Sequence, residues 1–217
     1  LNLGLGYQHS SVADTDESMG GLYVSNPVMA SLITPPYQPL YDDNGQMLNF
    51  FDATQAINPL MTADYMPRWQ NRITMNGMAF IELTPVKGLT IRSSLAVDAF
   101  DWRSHDASSP ETPTPSGKFG TGSASELFQR FYEWTWTNTA EYKHTWNEVH
   151  NFTALLGEET LYRNNNSFSV ASIGITSSRF LNIAMGTEVS GGLPTYSIAQ
   201  SASNSVFGRL EYNFAER

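Results

Sequence analysis

The sequence predicts an all-β fold in which long antiparallel strands follow one another as an up-and-down meander. Three observations lead to this prediction. Hydrophobic and polar residues alternate with a period of two through segments of about a dozen residues, roughly twice the usual strand length. The connections between these segments are alternately short and long. Apolar residues also lack the three- and four-residue spacing of an amphipathic helix.

The alternation places six strands along the chain. The two clearest form a hairpin, with Ile73 and Ile81 on one face of the first arm and Leu95 and Val97 on the same face of the second. The turn between the arms, residues 85–89, contains proline and glycine, which favour tight turns. The predicted strands span about residues 1–11, 71–84, 90–102, 128–143, 149–163 and 203–214.

The order of the connections predicts an asymmetric sheet. Residues 85–89 and 144–148 are short turns, whereas residues 12–70, 103–127 and 164–202 are long connections rich in polar residues. In a meander, all short turns then lie at one end and all long loops at the other. Outer-membrane barrels have this asymmetry, with long loops on the extracellular side.

The first long connection has features of its own. A short helix is predicted near residues 26–32, with Asn26 as N-cap before Pro27. Residues 1–70 contain seven acidic side chains and one basic side chain, so a negative field is expected there. Residues 14–18 resemble the start of a calcium loop but lack its later glycine and glutamate, so no calcium site is predicted.

The bulk composition excludes several classes of function. The chain has 217 residues and a formal net charge of −9, which argues against nucleic acid as a partner. It contains no cysteine, so disulfides and thiolate metal sites are excluded. No apolar run reaches the length of roughly 18 residues that a membrane helix requires.

The apolar strand faces can meet either a second sheet or lipid. A sandwich or soluble barrel would bury them inside the protein. Lipid is favoured by the strand lengths, by small residues on these faces and by aromatic residues near the strand ends. The predicted lipid-facing residues are Ile73, Ile81, Leu95, Val97, Leu156 and Leu210. The predicted aromatic girdle consists of Trp102, Trp134, Trp136 and Trp146.

The opposite strand faces carry charged and polar side chains. On a soluble protein they would form a solvated surface, whereas in a barrel they would line a wet lumen. Four of these residues are candidates for contact with a transported molecule: Asn76, Arg92, Asp98 and Glu159.

Motifs for catalysis, cofactors and metals are not found in the sequence. There is no nucleophile elbow, zinc-protease motif or phosphate-binding loop. His144 and His150 flank one turn and could form a metal pair, but turn-end residues at a membrane interface are the favoured interpretation. We therefore predict no catalytic residues, no cofactor-binding residues and no metal site.

The sequence begins and ends within alternating patterns. Leu1, Leu3 and Leu5 alternate with polar residues or glycine, and so do Val206 and Leu210 near the other end. We therefore expect a section of a longer protein. A complete small domain with edge strands at both termini is the alternative.

Several short motifs, taken together and in order, resemble the SusC/RagA-like TonB-dependent transporters of the Bacteroidetes outer membrane, and in particular the RagA branch. The motifs are NPL (58–60), ELTPVKGLTIRSSLAVD (82–98), NTAEYKHT (138–145), HNFTALLGEE (150–159) and FGRLEYNFAER (207–217). The resemblance spans nearly the whole chain and is weakest over residues 12–57 and 164–202.

The resemblance implies the architecture and partners of the parent protein. It would be a large, roughly 22-stranded transmembrane β-barrel with an N-terminal plug, and residues 1–217 would be a partial barrel domain without that plug. It would import glycan or peptide cargo through the outer membrane, in contact with outer-membrane lipid. Its partners would be TonB, through a region absent from this chain, and a SusD/RagB-like surface lipoprotein.

A second hypothesis belongs to a different class. The chain could be a soluble all-β module that binds glycans, with Trp102, Trp134 and Trp136 stacking on sugar rings. The two hypotheses differ in what covers the apolar faces. A soluble module would pack them against other residues of the same chain, whereas an importer would leave them as a continuous exposed band.

Overall fold

Six long strands form one antiparallel sheet in the computed structural model, which describes residues 1–11, 26–51, 53–54, 56–114, 117–118 and 120–215. The strands are β1 Asn2–Ser11, β2 Phe50–Phe51, β3 Ala56–Ile57, β4 Arg68–Val86, β5 Leu89–Ser108, β6 Pro113–Thr114, β7 Gly117–Lys118, β8 Gly122–Trp146, β9 His150–Ile175, β10 Glu188–Val189 and β11 Thr195–Phe214. The helices are α1 Pro27–Ile33, α2 Pro59–Tyr65 and a 3-10 helix at Ile183–Met185.

The long strands pair in chain order. The sheet runs β1-β4-β5-β8-β9, and β9 then pairs with β11 along most of its length and with β10 near its end. Every pairing is antiparallel. The predicted all-β meander is therefore confirmed.

The strands are longer than the alternation predicts, chiefly at the ends that carry the long connections. β9 continues to Ile175, whereas its predicted end was near residue 163, and β11 already begins at Thr195. Residues 164–169 are asparagine, serine and phenylalanine and show no clean apolar alternation, yet they pair with β8 and β11. A backbone ladder needs no apolar side chain, so hydrophobic periodicity alone underestimates such strands.

The pairing register divides the sheet into two faces, because directly opposed residues of antiparallel strands project to the same side. We call one the apolar face. A row across it contains Leu3, Gly77, Val97, Trp134, Tyr162 and Ala202. We call the other the polar face. A row across it contains Gly4, Asn76, Asp98, Glu133, Arg163 and Ser201.

Two tight turns lie at one end of the sheet. Gly88, between β4 and β5, has φ of +90°, and a Cβ there would come 2.3 Å from the carbonyl oxygen of Lys143. The other turn, between β8 and β9, contains Asn147 and Glu148, with φ of 50° and 62°. The long connections lie at the opposite end, as the sequence predicts.

Small packed clusters lie at the end with the long connections. The first contains α1, in which Ala30 is buried. Asn26 caps this helix, since its side-chain oxygen accepts hydrogen bonds from the backbone N–H groups of Val28 (2.9 Å) and Met29 (3.2 Å). A second cluster joins the ends of β5, β8 and β9 through Ala107, Ala124 and Ile175. No helix in the described part of the chain is long and apolar enough to cross a membrane.

Candidate functional site

Among the residues that the structure describes, no second protein layer covers the apolar face. Ile81, Leu156 and Leu210 are 69, 63 and 76% exposed, respectively. All six residues that the sequence assigned to lipid lie on this face: Ile73, Ile81, Leu95, Val97, Leu156 and Leu210. Within the described residues, buried hydrophobic side chains are confined to the clusters near the long connections.

Three predicted girdle residues also lie on the apolar face. Trp134 stacks on Tyr162 with ring centroids 6.0 Å apart, and the indole N–H of Trp136 donates to the Ser93 hydroxyl at 2.9 Å. Trp146 lies next to the short turn, edge-on to His144 at 4.5 Å. Aromatic residues thus occur on this face both near the turns and about ten residues along β8 from them.

The structure corrects the assignment of Trp102 to the aromatic girdle, because Trp102 lies on the polar face and not with the other three tryptophans. It is directly opposite Arg72 on β4 and Gln129 on β8. The register of β5 with both neighbours is continuous from Leu95 to Trp102, and the odd spacing between these two residues places them on opposite faces. Closeness to a strand end suggested a girdle position, but the alternation itself excluded one.

The four predicted contact residues share the polar face but do not form one cluster. Asn76 and Asp98 are directly opposed across β4 and β5. The guanidinium of Arg92 lies over the Phe80 ring, 4.2 Å from its centroid, and 3.8 Å from a carboxylate oxygen of Glu82. Elsewhere, on β9, Glu159 accepts a hydrogen bond from the Thr137 hydroxyl at 3.1 Å.

A concave patch on the polar face was not predicted as a site. It encloses about 350 Å³ and is lined by Gln8, Ser10, Gln70, Arg72, Phe100, Trp102 and Gln129. The guanidinium carbon of Arg72 lies 4.3 Å from the centroid of the Phe100 ring. We call these seven residues the Arg72 patch. Phe100 and Trp102 lie two and four positions after Asp98, so the alternation alone could have placed them on the same face as Asp98.

The apolar face becomes charged beyond the aromatic residues, toward the long connections. Arg130 forms a two-bond ion pair with Asp101, with both N–O distances 2.7 Å. Further along, Glu126 accepts hydrogen bonds from Arg103 and from His105, each at 2.8 Å. This charged end marks the limit of the apolar band.

The surroundings of the Glu126 carboxyl shift its pKa. Its partial burial acts to raise its pKa, but the hydrogen bonds and charges of Arg103 and His105 outweigh burial and hold the pKa below its usual range. His105 is itself buried and stacks on Trp69, with ring centroids 5.2 Å apart. The cluster therefore ties β4, β5 and β8 together at this end.

The histidines that flank the short turn contact aromatic residues. His150 is hydrogen-bonded to the Tyr212 hydroxyl at 2.7 Å, and His144 stacks on Tyr142 with ring centroids 6.1 Å apart. The described residues contain no group of three or more histidine, aspartate or glutamate side chains arranged to hold a metal ion. The calcium-like stretch 14–18 lies outside the described residues.

Comparisons with solved structures place this sheet within a known fold. A chain of the RagAB peptide transporter superposes with a TM-score of 0.75 and 26% sequence identity, covering 99% of this chain and 24% of that one. The RagAB peptide importer in its closed-closed and open-open states gives the same values. The chain thus spans about a quarter of the solved chains that it matches. No protein-family model matches it, and no curated protein matches it.

The fold is that of a section of a large β-barrel transporter. Within that class, the chain is similar to the RagA type, which confirms the resemblance that the sequence motifs indicated.

Proposed function

We propose that this chain is a section of the barrel wall of a TonB-dependent outer-membrane importer. In this proposal the apolar face contacts outer-membrane lipid and the polar face lines the lumen. The match to the RagAB peptide transporter over 99% of the chain is the observation that carries the proposal. The exposed apolar face, with aromatic residues at both margins, supports it independently.

The extent of the apolar band agrees with a bilayer. On β8 the band runs from Tyr132 to Tyr142. Ten residue steps of about 3.3 Å give roughly 33 Å along the strand. At a strand tilt of about 35–45°, the band is roughly 23–27 Å tall, close to the apolar belt of about 25 Å in outer-membrane barrels.

The soluble glycan-binding module is the weaker hypothesis. Such a module would bury its apolar strand faces in a core of its own, as sandwiches and small barrels do. Instead, Leu156 and Leu210 are more than half exposed, and Trp102 lies on the face opposite to that of Trp134 and Trp136. The three tryptophans therefore cannot form one sugar-stacking platform.

The proposed cargo is an oligopeptide, with an oligosaccharide as the alternative. The similar solved structures are of a peptide importer, which favours peptides. The proposed partners are a SusD/RagB-like surface lipoprotein, near the long connections, and TonB, through a region outside this chain. We infer no catalysis, because the similar structures are of transporters.

Deletion of the gene for the full-length protein tests the proposal. We expect deletion to abolish uptake of labelled oligopeptides by intact cells, and complementation to restore it. We also expect the tagged protein to be recovered in the outer-membrane fraction together with a surface lipoprotein. Recovery of the protein in a soluble fraction, or unchanged uptake of both peptides and oligosaccharides, would refute the proposal.

A further inference from the structure

We propose that the Arg72 patch is a cargo subsite that binds a carboxylate of a transported oligopeptide. This proposal rests on the proposed function, because it requires the polar face to line the lumen. Beyond the proposed function, it names the residues of a binding site and the chemical group that they recognise. Neither follows from the likeness to other transporters.

The first observation is that Arg72 differs from the other arginines of the long strands in its ion pairing. Seven arginines lie on the long strands, and six of them pair with a carboxylate: Arg68 with Asp106, Arg92 with Glu82, Arg103 with Glu126, Arg130 with Asp101, Arg163 with Glu133 and Arg209 with Glu211. Among the residues that the structure describes, no carboxylate lies within ion-pairing distance of Arg72. In a chain with a net charge of −9, an unpaired guanidinium on a concave surface is available to an anion.

The second observation is that Arg72 is already oriented. Its guanidinium lies over the Phe100 ring at 4.3 Å, and Trp102 is directly opposite Arg72 on the neighbouring strand. Stacking on an aromatic ring restricts a long flexible side chain while its N–H donors at the edge remain available. Less side-chain entropy is therefore lost when a carboxylate binds.

The third observation is the composition of the rest of the patch. Gln8, Gln70 and Gln129 each carry an amide that can both donate and accept hydrogen bonds, as peptide groups require. The Gln129 amide nitrogen donates a hydrogen bond to the side-chain oxygen of Asn165 at 2.9 Å. The side-chain oxygen of Gln129 takes no part in this bond. A cation, an aromatic surface and several amides together suit a peptide segment that bears a carboxylate.

The position of the patch also fits a cargo site. Its residues lie on β1, β4, β5 and β8, near the ends of these strands that carry the long connections. In the proposed orientation this is the extracellular part of the lumen, which cargo would reach first. Arg72 would therefore act at entry rather than at release.

Binding assays on the purified full-length transporter test this subsite. The probe is a dansyl-labelled random octapeptide library made without aspartate or glutamate, so that its C-terminus is its only carboxylate. The same library with an amidated C-terminus is the second probe, and an amidated library with one glutamate is the third. For the wild-type protein, we expect the first or the third library to bind roughly tenfold more tightly than the second.

The variant Arg72→Gln should lose this preference while it binds the amidated library as the wild type does. Arg72→Lys, which keeps the charge, should recover part of the preference. Arg209→Gln is the matched control, since Arg209 lies on the same face but pairs with Glu211 at 3.1 Å and should not contribute. Raising the salt concentration should weaken only the carboxylate-dependent part of binding.

Three outcomes would overturn the subsite. One is an equal preference for the carboxylate in wild type and Arg72→Gln; another is an equal loss in Arg209→Gln. A third is binding of acidic oligosaccharides but of no peptide library, which would also assign a different cargo class. If the wild-type protein binds peptides but Arg72→Gln changes nothing, the subsite fails while the proposed importer stands.

Discussion

Phe207 of β11 and Gly157 of β9 are directly opposed on the polar face, and the Phe207 ring covers the glycine. A Cβ built on Gly157 would come 2.2 Å from the ring atom Cζ of Phe207. The glycine thus leaves space that the aromatic ring occupies, and the ring covers a backbone segment that has no side chain of its own. Pairs of this kind fix the register between strands.

Replacement of that glycine should loosen this part of the sheet. We expect Gly157→Ala to displace the Phe207 ring and to lower the free energy of unfolding by about 1–3 kcal/mol. Denaturant titration of the full-length protein folded into lipid vesicles measures the change. Gly6→Ala is the control, because the nearest atom to a Cβ there is 4.0 Å away. Equal effects of both substitutions would show that the ring contact is not responsible.

A charge on the apolar face should be far more costly than a charge on the polar face. Leu95 and Ala96 are neighbours on β5 that project to opposite faces. We expect Leu95→Arg to lower the free energy of unfolding in vesicles by about 2–4 kcal/mol, since the guanidinium would have to enter hydrocarbon. Ala96→Arg, which would project into water, should cost much less. Similar costs would contradict a lipid-facing band.

The two faces should also differ in accessibility to reagents. This chain contains no cysteine, so single cysteines can be introduced into it without internal competition. In a cysteine-free form of the full-length protein, we expect Trp102→Cys to react with a water-soluble, membrane-impermeant maleimide added to folded protein in vesicles. Trp136→Cys should react only after the vesicles are dissolved in detergent and the protein is denatured. Rapid labelling of Trp136→Cys in intact vesicles would place that residue in water.

The contacts of Glu126 with Arg103 and His105 should make the stability of the folded protein depend on pH. The pKa of Glu126 in the folded protein lies below its value of about 4.5 in the unfolded chain. Its contribution to stability is therefore full above the unfolded pKa, and is lost as the pH falls through the folded pKa. We expect the thermal midpoint of the wild type to fall below about pH 4.5 more steeply than that of Glu126→Gln.

Glu188→Gln is the control for this pH dependence. Glu188 lies on the short strand β10 and forms no ion pair with any residue that the structure describes. The Glu188→Gln protein should follow the wild-type pH profile. A Glu126→Gln profile that also matches the wild type would show that the contacts with Arg103 and His105 add nothing to stability.

Much of the fold, and the face on which most of the candidate residues lie, could be predicted from the sequence. Strict alternation assigned Ile73, Leu95 and Leu210 to the apolar face and Asn76 and Asp98 to the polar face, as the pairing register places them. The strand ends were less accessible, because residues 164–169 are polar and give no hydrophobic period. Trp102 was misassigned by its closeness to a strand end, although its spacing from Leu95 held the correct information.

The sequence by itself determined which side chains share a face, because alternation along a strand is a local property of the extended backbone. Only the tertiary structure decided which charges meet. Arg130 of β8 pairs with Asp101 of β5, and Arg103 of β5 donates to Glu126 of β8, through a register between two strands that a long connection joins. A long flexible connection does not fix a register. Backbone hydrogen bonds between distant segments fix it, and they place Gln8 of β1 opposite Arg72 of β4.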